Sequence, residues 1–158
     1  SDPDKMYQLG EINIYHHIKE LGLSKRKSNY ISQLSEIIST KFQNKIPTNL
    51  TDLESLPGVG HKTASVVMAQ AFGVPTFPVD THIHRLSQRW KLTNGKNVIQ
   101  TEKDLKRLFP KSKWNKLHLQ MIFYGREYCT SRGCDGTKCR LCKILFPNRS
   151  QGIICNKP

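Results

Sequence analysis

The segment Leu56-Pro57-Gly58-Val59-Gly60-His61-Lys62-Thr63-Ala64 constrains this chain more than any other. Two glycines two positions apart permit backbone angles closed to other residues, and they let a second backbone come close. Helical periodicity flanks them. A short helix over roughly 49–55 therefore leads into the turn, and a second helix begins near His61. Val59 can turn back to pack the two helices against each other.

The rest of the chain repeats the helical period. Ile31, Leu34, Ile37, Ile38 and Phe42 form one apolar stripe. Ile83, Leu86 and Trp90 form another, as do Leu117, Met121 and Tyr124, and a thinner stripe runs through Val98, Leu105 and Leu108. Thr51 and Glu54 have capping-box spacing, Thr48 is a second candidate cap, and Asp80 stands where its carboxylate can accept first-turn amides. Gly22, Pro47, Gly73, Pro75, Asn94, Gly95 and Pro110 break the helices apart. Val74 to Val79 leans towards strand, but two prolines argue against one. The expected fold class is all-α: a helical bundle over residues 1–127, then a short Cys-rich region over 128–158. That tail lacks periodicity and needs something other than a hydrophobic core to hold it.

Lys and Arg number 25 against 12 acidic residues, a formal charge of +13. Such a surplus points to a polyanionic partner, most simply nucleic acid. The hairpin fits that partner. Amides near Gly58 and Gly60, at the positive end of the following helix, make a phosphate site. This is the helix–hairpin–helix pattern, which grips a DNA phosphate without reading sequence, and an ordinary αα-turn is the plain alternative. Leu56, Gly58, Val59, Gly60, His61, Lys62 and Thr63 are the expected DNA-binding residues. Lys62 falls in the first turn, where the helix dipole disfavours a cation and favours the neutral amine that attack on a sugar carbon requires. A phosphate-contacting lysine would use the same position equally well.

No apolar run of ~18 residues spans a membrane. The N-terminus, SDPDKMYQLG, is neither a signal peptide nor an Arg-rich transit peptide, and without an initiator Met it is not expected to be the natural start. The chain is expected to work inside the cell, with DNA, as a monomer. Cys129, Cys134, Cys139 and Cys142 cluster late in the chain, which suggests a metal or iron–sulfur site more than a disulfide framework.

LPGVGHKTASVV (56–67) followed by VPTFPVDTHIHRLSQRW (74–90) resembles the endonuclease III group of the helix–hairpin–helix DNA glycosylase superfamily. LGLSKRKSNYI (21–31), GKNVIQTEKDL (95–105) and HLQMIFYGREYC (118–129) extend the resemblance over roughly 12–142. It implies a base excision repair glycosylase with AP lyase activity, acting on double-stranded DNA that carries a damaged base or an abasic site. The family lysine falls on Lys62, which forms a Schiff base with the sugar C1′. The family aspartate falls on Asp80, which helps activate the lysine and stabilises charge on the sugar. Relatives that only remove bases carry other residue types at position 62, so β-elimination is expected as well. Oxidised pyrimidines, flipped into a pocket, are the expected lesions. His82 and His84, two positions apart, do not make a metal pair.

Two departures stand out. The family loop reads C-x6-C-x2-C-x5-C, but here Asn148 occupies the position six past Cys142. Cys134 can replace the missing ligand, giving a set of Cys129, Cys134, Cys139 and Cys142, and Cys155 is a second candidate. A [4Fe–4S] cluster, a zinc ion or no metal remain open. Arg126, Arg132, Lys138, Arg140 and Lys143 surround this loop and could touch DNA backbone. The family also has about fifty further residues ahead of the matched region. A non-catalytic binding module and a mismatch-directed glycosylase are the competing readings.

Overall fold

Polar caps divide the backbone into helices in the computed structural model, which describes residues 2–158. Helix α1 (Pro3–Ile18) opens on Asp2, whose carboxylate accepts the Lys5 amide at 2.8 Å, and α2 (Ser24–Thr40) follows. Helix α3 (Leu50–Glu54) is capped by Asn49, which accepts the Asp52 amide at 2.9 Å. The capping box expected at Thr51 and Glu54 does not form, because the Glu54 carboxylate instead meets His61 Nδ1 at 2.7 Å. Helix α4 (His61–Ala71) follows the glycine hairpin. Helix α5 (Thr81–Arg89) starts at Asp80 and α6 (Val98–Leu108) at Asn97, each cap accepting the amide three residues on. A 3₁₀ turn (Lys111–Lys113) leads into α7 (Trp114–Glu127), and α8 (Arg140–Leu145) lies within the Cys-rich region. No strand occurs among the described residues, so the all-α expectation holds; Val74 to Val79 has no regular secondary structure.

The chain forms two compact units, one ending at Ala64 and one running from Ser65 to Pro158. In the first, α1 packs on α2, and Ile14, Ile38, Leu53 and Leu56 are buried. In the second, Phe77, Val79, Ile83, Leu86, Leu105 and Met121 pack into one core. Burying side chains of this size contributes roughly 1.5–3 kcal/mol each. Leu108, assigned to the α6 stripe, is 49% exposed, whereas Thr101 and Asp104 on the same helix are buried. Those polar residues have partners: Thr101 Oγ1 lies 2.8 Å from His84 Nδ1, and Asp104 accepts from Thr93 and Gln100.

The tail corrects the sequence expectation. Cys129, Cys134, Cys139 and Cys142 belong to the second unit's hydrophobic core, so the loop is held partly by burial. A C-terminal strap adds polar contacts. Arg149 Nη1 donates to the carbonyls of Arg89 and Gly136 at 2.8 and 2.9 Å, and the Ile153 amide donates to Asp135 at 2.7 Å. The Gln88 side-chain amide pairs with the backbone of Asn156 in both directions, at 2.7 and 3.1 Å. The strap thereby covers the polar side of α5's last turns, and even Gln88 and Arg89 are buried. Truncation after Asn148 is expected to lower the thermal unfolding midpoint clearly, and Gln88→Ala to reproduce part of that loss, at about 1–2 kcal/mol for a broken buried amide pair. Calorimetry checks this, and an unchanged midpoint in the truncated chain would contradict the strap.

Candidate functional site

The hairpin is built by a single tight packing contact. Gly58 has φ 77°, and a Cβ added there would lie 2.7 Å from the Tyr30 ring of α2. Any side chain would suffer both the left-handed backbone and the collision. Tyr30 is in turn fixed by Arg26, whose Nε donates to its hydroxyl at 2.9 Å and whose guanidinium lies over its ring. The Val59 amide bonds the Leu56 carbonyl at 3.1 Å, closing the turn, and the Ala64 amide bonds the Gly60 carbonyl at 3.0 Å, opening α4. Gly60 faces open space on its Cβ side. Among the described residues the amides of Gly58 and Gly60 donate to no protein group. An exposed turn with unspent amides at a helix start can accept an anionic oxygen.

Of the expected DNA-binding residues, Leu56 is buried and anchors the turn, and Val59 is half-buried. Gly58, Gly60, His61, Lys62 and Thr63 are exposed. Lys62 stands in the first turn of α4. Asp80 caps α5, accepting the Ile83 amide at 2.8 Å, with its carboxylate half-exposed. The two residues belong to different compact units. His84 is buried against Thr101, and burial lowers its pKa, which suits a neutral structural histidine.

The cysteines assemble as a set. The sulfurs of Cys129, Cys134, Cys139 and Cys142 all lie within 4.8 Å of one another, and all four residues are buried. Cys155, the alternative ligand, is not among them; its thiol points at the Arg85 carbonyl 3.7 Å away. Burial pushes the Cys129 thiol well up and Cys142 up to about 11. Burial also acts to raise Cys134, but the amides of Gly136, Cys139 and Lys138 outweigh it and bring that thiol down to about 6. Four sulfurs at this spacing cannot all ionise without a cation. The donor set is soft, buried and four in number, which fits a metal. Tetrahedral zinc at ~2.3 Å from each sulfur sets neighbouring sulfurs about 3.8 Å apart, and Cys129 and Cys142 lie 3.9 Å apart.

Sequence reasoning missed two arginines on α5. Arg85 Nη2 donates to the carbonyls of Gly125 and Cys129 at 2.9 and 3.0 Å. Arg89 Nη1 donates to the carbonyls of Cys129 and Thr130 and to the Cys129 sulfur. Their four-residue spacing, on one helix face ahead of a Cys-rich region, was the available signal.

The model of the HhH-GPD superfamily base excision DNA repair protein family matches residues 1–111. The chain belongs to this superfamily. This HhH-GPD chain is 39% identical over 142 residues to endonuclease III of Buchnera aphidicola subsp. Schizaphis graminum, covering 90% of this chain and 66% of the relative. It is 40% identical over 129 residues to endonuclease III of Bacillus subtilis, covering 81% and 58% respectively. A trapped endonuclease III–DNA covalent intermediate has a similar structure, with a TM-score of 0.83 and 34% identity over 89% of this chain and 66% of that one. The chain thus spans between 58% and 66% of the length of these curated relatives. Among its described residues no helix is long and apolar enough to cross a membrane.

Metal binding here must displace protons from Cys129 and Cys142, so affinity is expected to rise with pH. Protein desalted at pH 6 should retain less metal than protein desalted at pH 8, and Cys134→Ser should retain less than the parent at both. Elemental analysis reads the outcome, and retention independent of pH would contradict thiol coordination.

Proposed function

We propose that this chain is a DNA glycosylase with AP lyase activity, in which Lys62 is the nucleophile and Asp80 its carboxylate partner. One observation carries the reading. A lysine stands in the first turn after a glycine hairpin with open amides, in a member of a base excision repair superfamily. The hairpin amides would hold a DNA phosphate, and the surplus of basic residues would supply attraction independent of sequence. The damaged nucleotide would be turned out of the duplex, because its C1′ is unreachable within the stack.

The chemistry then follows from an amine and a carboxylate. The Lys62 nitrogen attacks C1′ as the bond to the base breaks, and the base leaves with a proton. Ring opening gives an imine between Lys62 and C1′. Loss of a proton from C2′ expels the 3′ phosphate and cuts the strand, and water then releases the lysine. Asp80 would balance the positive charge that develops on the sugar and nitrogen. The endonuclease III caught as a covalent intermediate with DNA supports a covalent route for its relative here.

For the metal centre we infer a [4Fe–4S] cluster held by Cys129, Cys134, Cys139 and Cys142, by resemblance to the family loop. Its proposed part is structural, fixing the loop between α7 and the strap. Zinc is the second reading, since four thiolates also suit a tetrahedral zinc site. Iron and sulfide analysis against zinc analysis separates the two.

The test is strand cleavage at an abasic site and at an oxidised pyrimidine in duplex DNA. Lys62→Ala should lower cleavage by several orders of magnitude without unfolding the chain, since Lys62 is exposed. Asp80→Asn is more pointed. Asn caps helices about as well as Asp, so the fold should survive while cleavage falls at least a hundredfold. Asp80→Asn at parental rates would reduce Asp80 to a cap, and Lys62→Ala at parental rates would remove the nucleophile.

A further inference from the structure

Arg89 is a buried cation whose counter-charge is not a carboxylate. Only 4% of its surface is exposed. Among the described residues no Asp or Glu forms an ion pair with it. A buried guanidinium is tolerated when it is paired and its N–H groups are satisfied. All its bonds come from Nη1, while the buried Nε has no partner among the described residues; two of them go to backbone oxygens, those of Cys129 at 3.1 Å and Thr130 at 2.9 Å. The third goes to the Cys129 sulfur at 3.3 Å. The opposing charge must therefore come from sulfur.

The other sulfurs receive weaker donors. The Gly136 amide reaches Cys134 at 3.4 Å and the Tyr124 hydroxyl reaches Cys139 at 3.5 Å. Both donors are neutral. A divalent metal bound by four thiolates keeps two negative charges in excess, and a thiolate-ligated iron–sulfur cluster is likewise anionic. Donors outside the ligand set orient the ligands and set the metal's affinity and potential. We propose that Arg89 is the positioning residue of the cysteine centre, supplying the counter-cation for its thiolates and holding the Cys129 sulfur in place through an N–H···S bond. Arg85, four residues earlier, bonds the carbonyls of Gly125 in α7 and of Cys129, but no sulfur. It holds the Cys129 carbonyl but reaches no ligand sulfur, which makes it the natural control.

This inference rests on the reading of the four cysteines as a metal centre. The full chain is purified with its metal, and metal loss to excess chelator is timed for the parent, Arg89→Gln, Arg89→Lys and Arg85→Gln. Arg89→Gln should lose metal roughly tenfold faster or more. Arg89→Lys, which keeps the charge but not the fork, should fall between it and the parent, and Arg85→Gln should stay nearer the parent. Where the metal is an iron cluster, Arg89→Gln should also lower its reduction potential, because a cation favours the added electron. That shift is not expected of a residue that merely braces the fold. If Arg89→Gln does not fold, Arg89→Lys carries the test, and parental metal loss in that variant overturns the inference. A parent that binds no metal overturns the metal-centre reading and this inference with it. A metal-bearing parent that Arg89→Gln matches in release rate and potential overturns the Arg89 role alone.

Discussion

The bond between a buried guanidinium and a thiol loop organises the second unit. Arg89 projects from α5 into a region where the chain has no helical stripe to follow, and its three bonds all end on Cys129 and Thr130. The strap returns the favour from the other side, with Arg149 donating to the Arg89 carbonyl itself. Helix α5 is consequently a central helix, covered by hydrophobic residues on one side and by polar contacts to the cysteine loop and the strap on the other. The same helix begins at Asp80, so the residue proposed to take part in chemistry sits at the end of the most enclosed element of its unit. A carboxylate bonded to the Ile83 amide has its orientation set before any substrate arrives.

The first unit solves a different problem. Its hairpin must expose backbone amides without collapsing, and the Tyr30 ring packed against Gly58 holds it open. Lys62 inherits its position from that geometry. Gly58 and Gly60 therefore have separate duties: the first makes the turn possible, and the second leaves room in front of it.

The hairpin, the all-helical architecture and the cysteine set were legible because each rests on local chemistry. A G-x-G between two helical stripes has few solutions, prolines at 75 and 78 exclude a central strand, and clustered thiols can share an ion. Other features were not legible because they depend on partners distant in sequence. Thr51 and Glu54 have the spacing of a capping box, yet Asn49 caps the helix and Glu54 turns to His61. Leu108 reads as core and is exposed, while Thr101 and Asp104 read as surface and are buried by hydrogen-bond partners on neighbouring segments. Periodicity treats polar residues as outward-facing, so it cannot see Arg89 or Gln88 turned inward to meet the tail.

The proposed lyase chemistry requires a covalent bond at one nitrogen, that of Lys62. The full chain should be incubated with duplex DNA containing an abasic site, reduced with borohydride and digested, and the adduct located by mass spectrometry. A reduced sugar remnant is expected on the Lys62 side chain, in the peptide spanning the hairpin. An adduct on another lysine or on the terminal amine, or strand cleavage without any adduct, would contradict it.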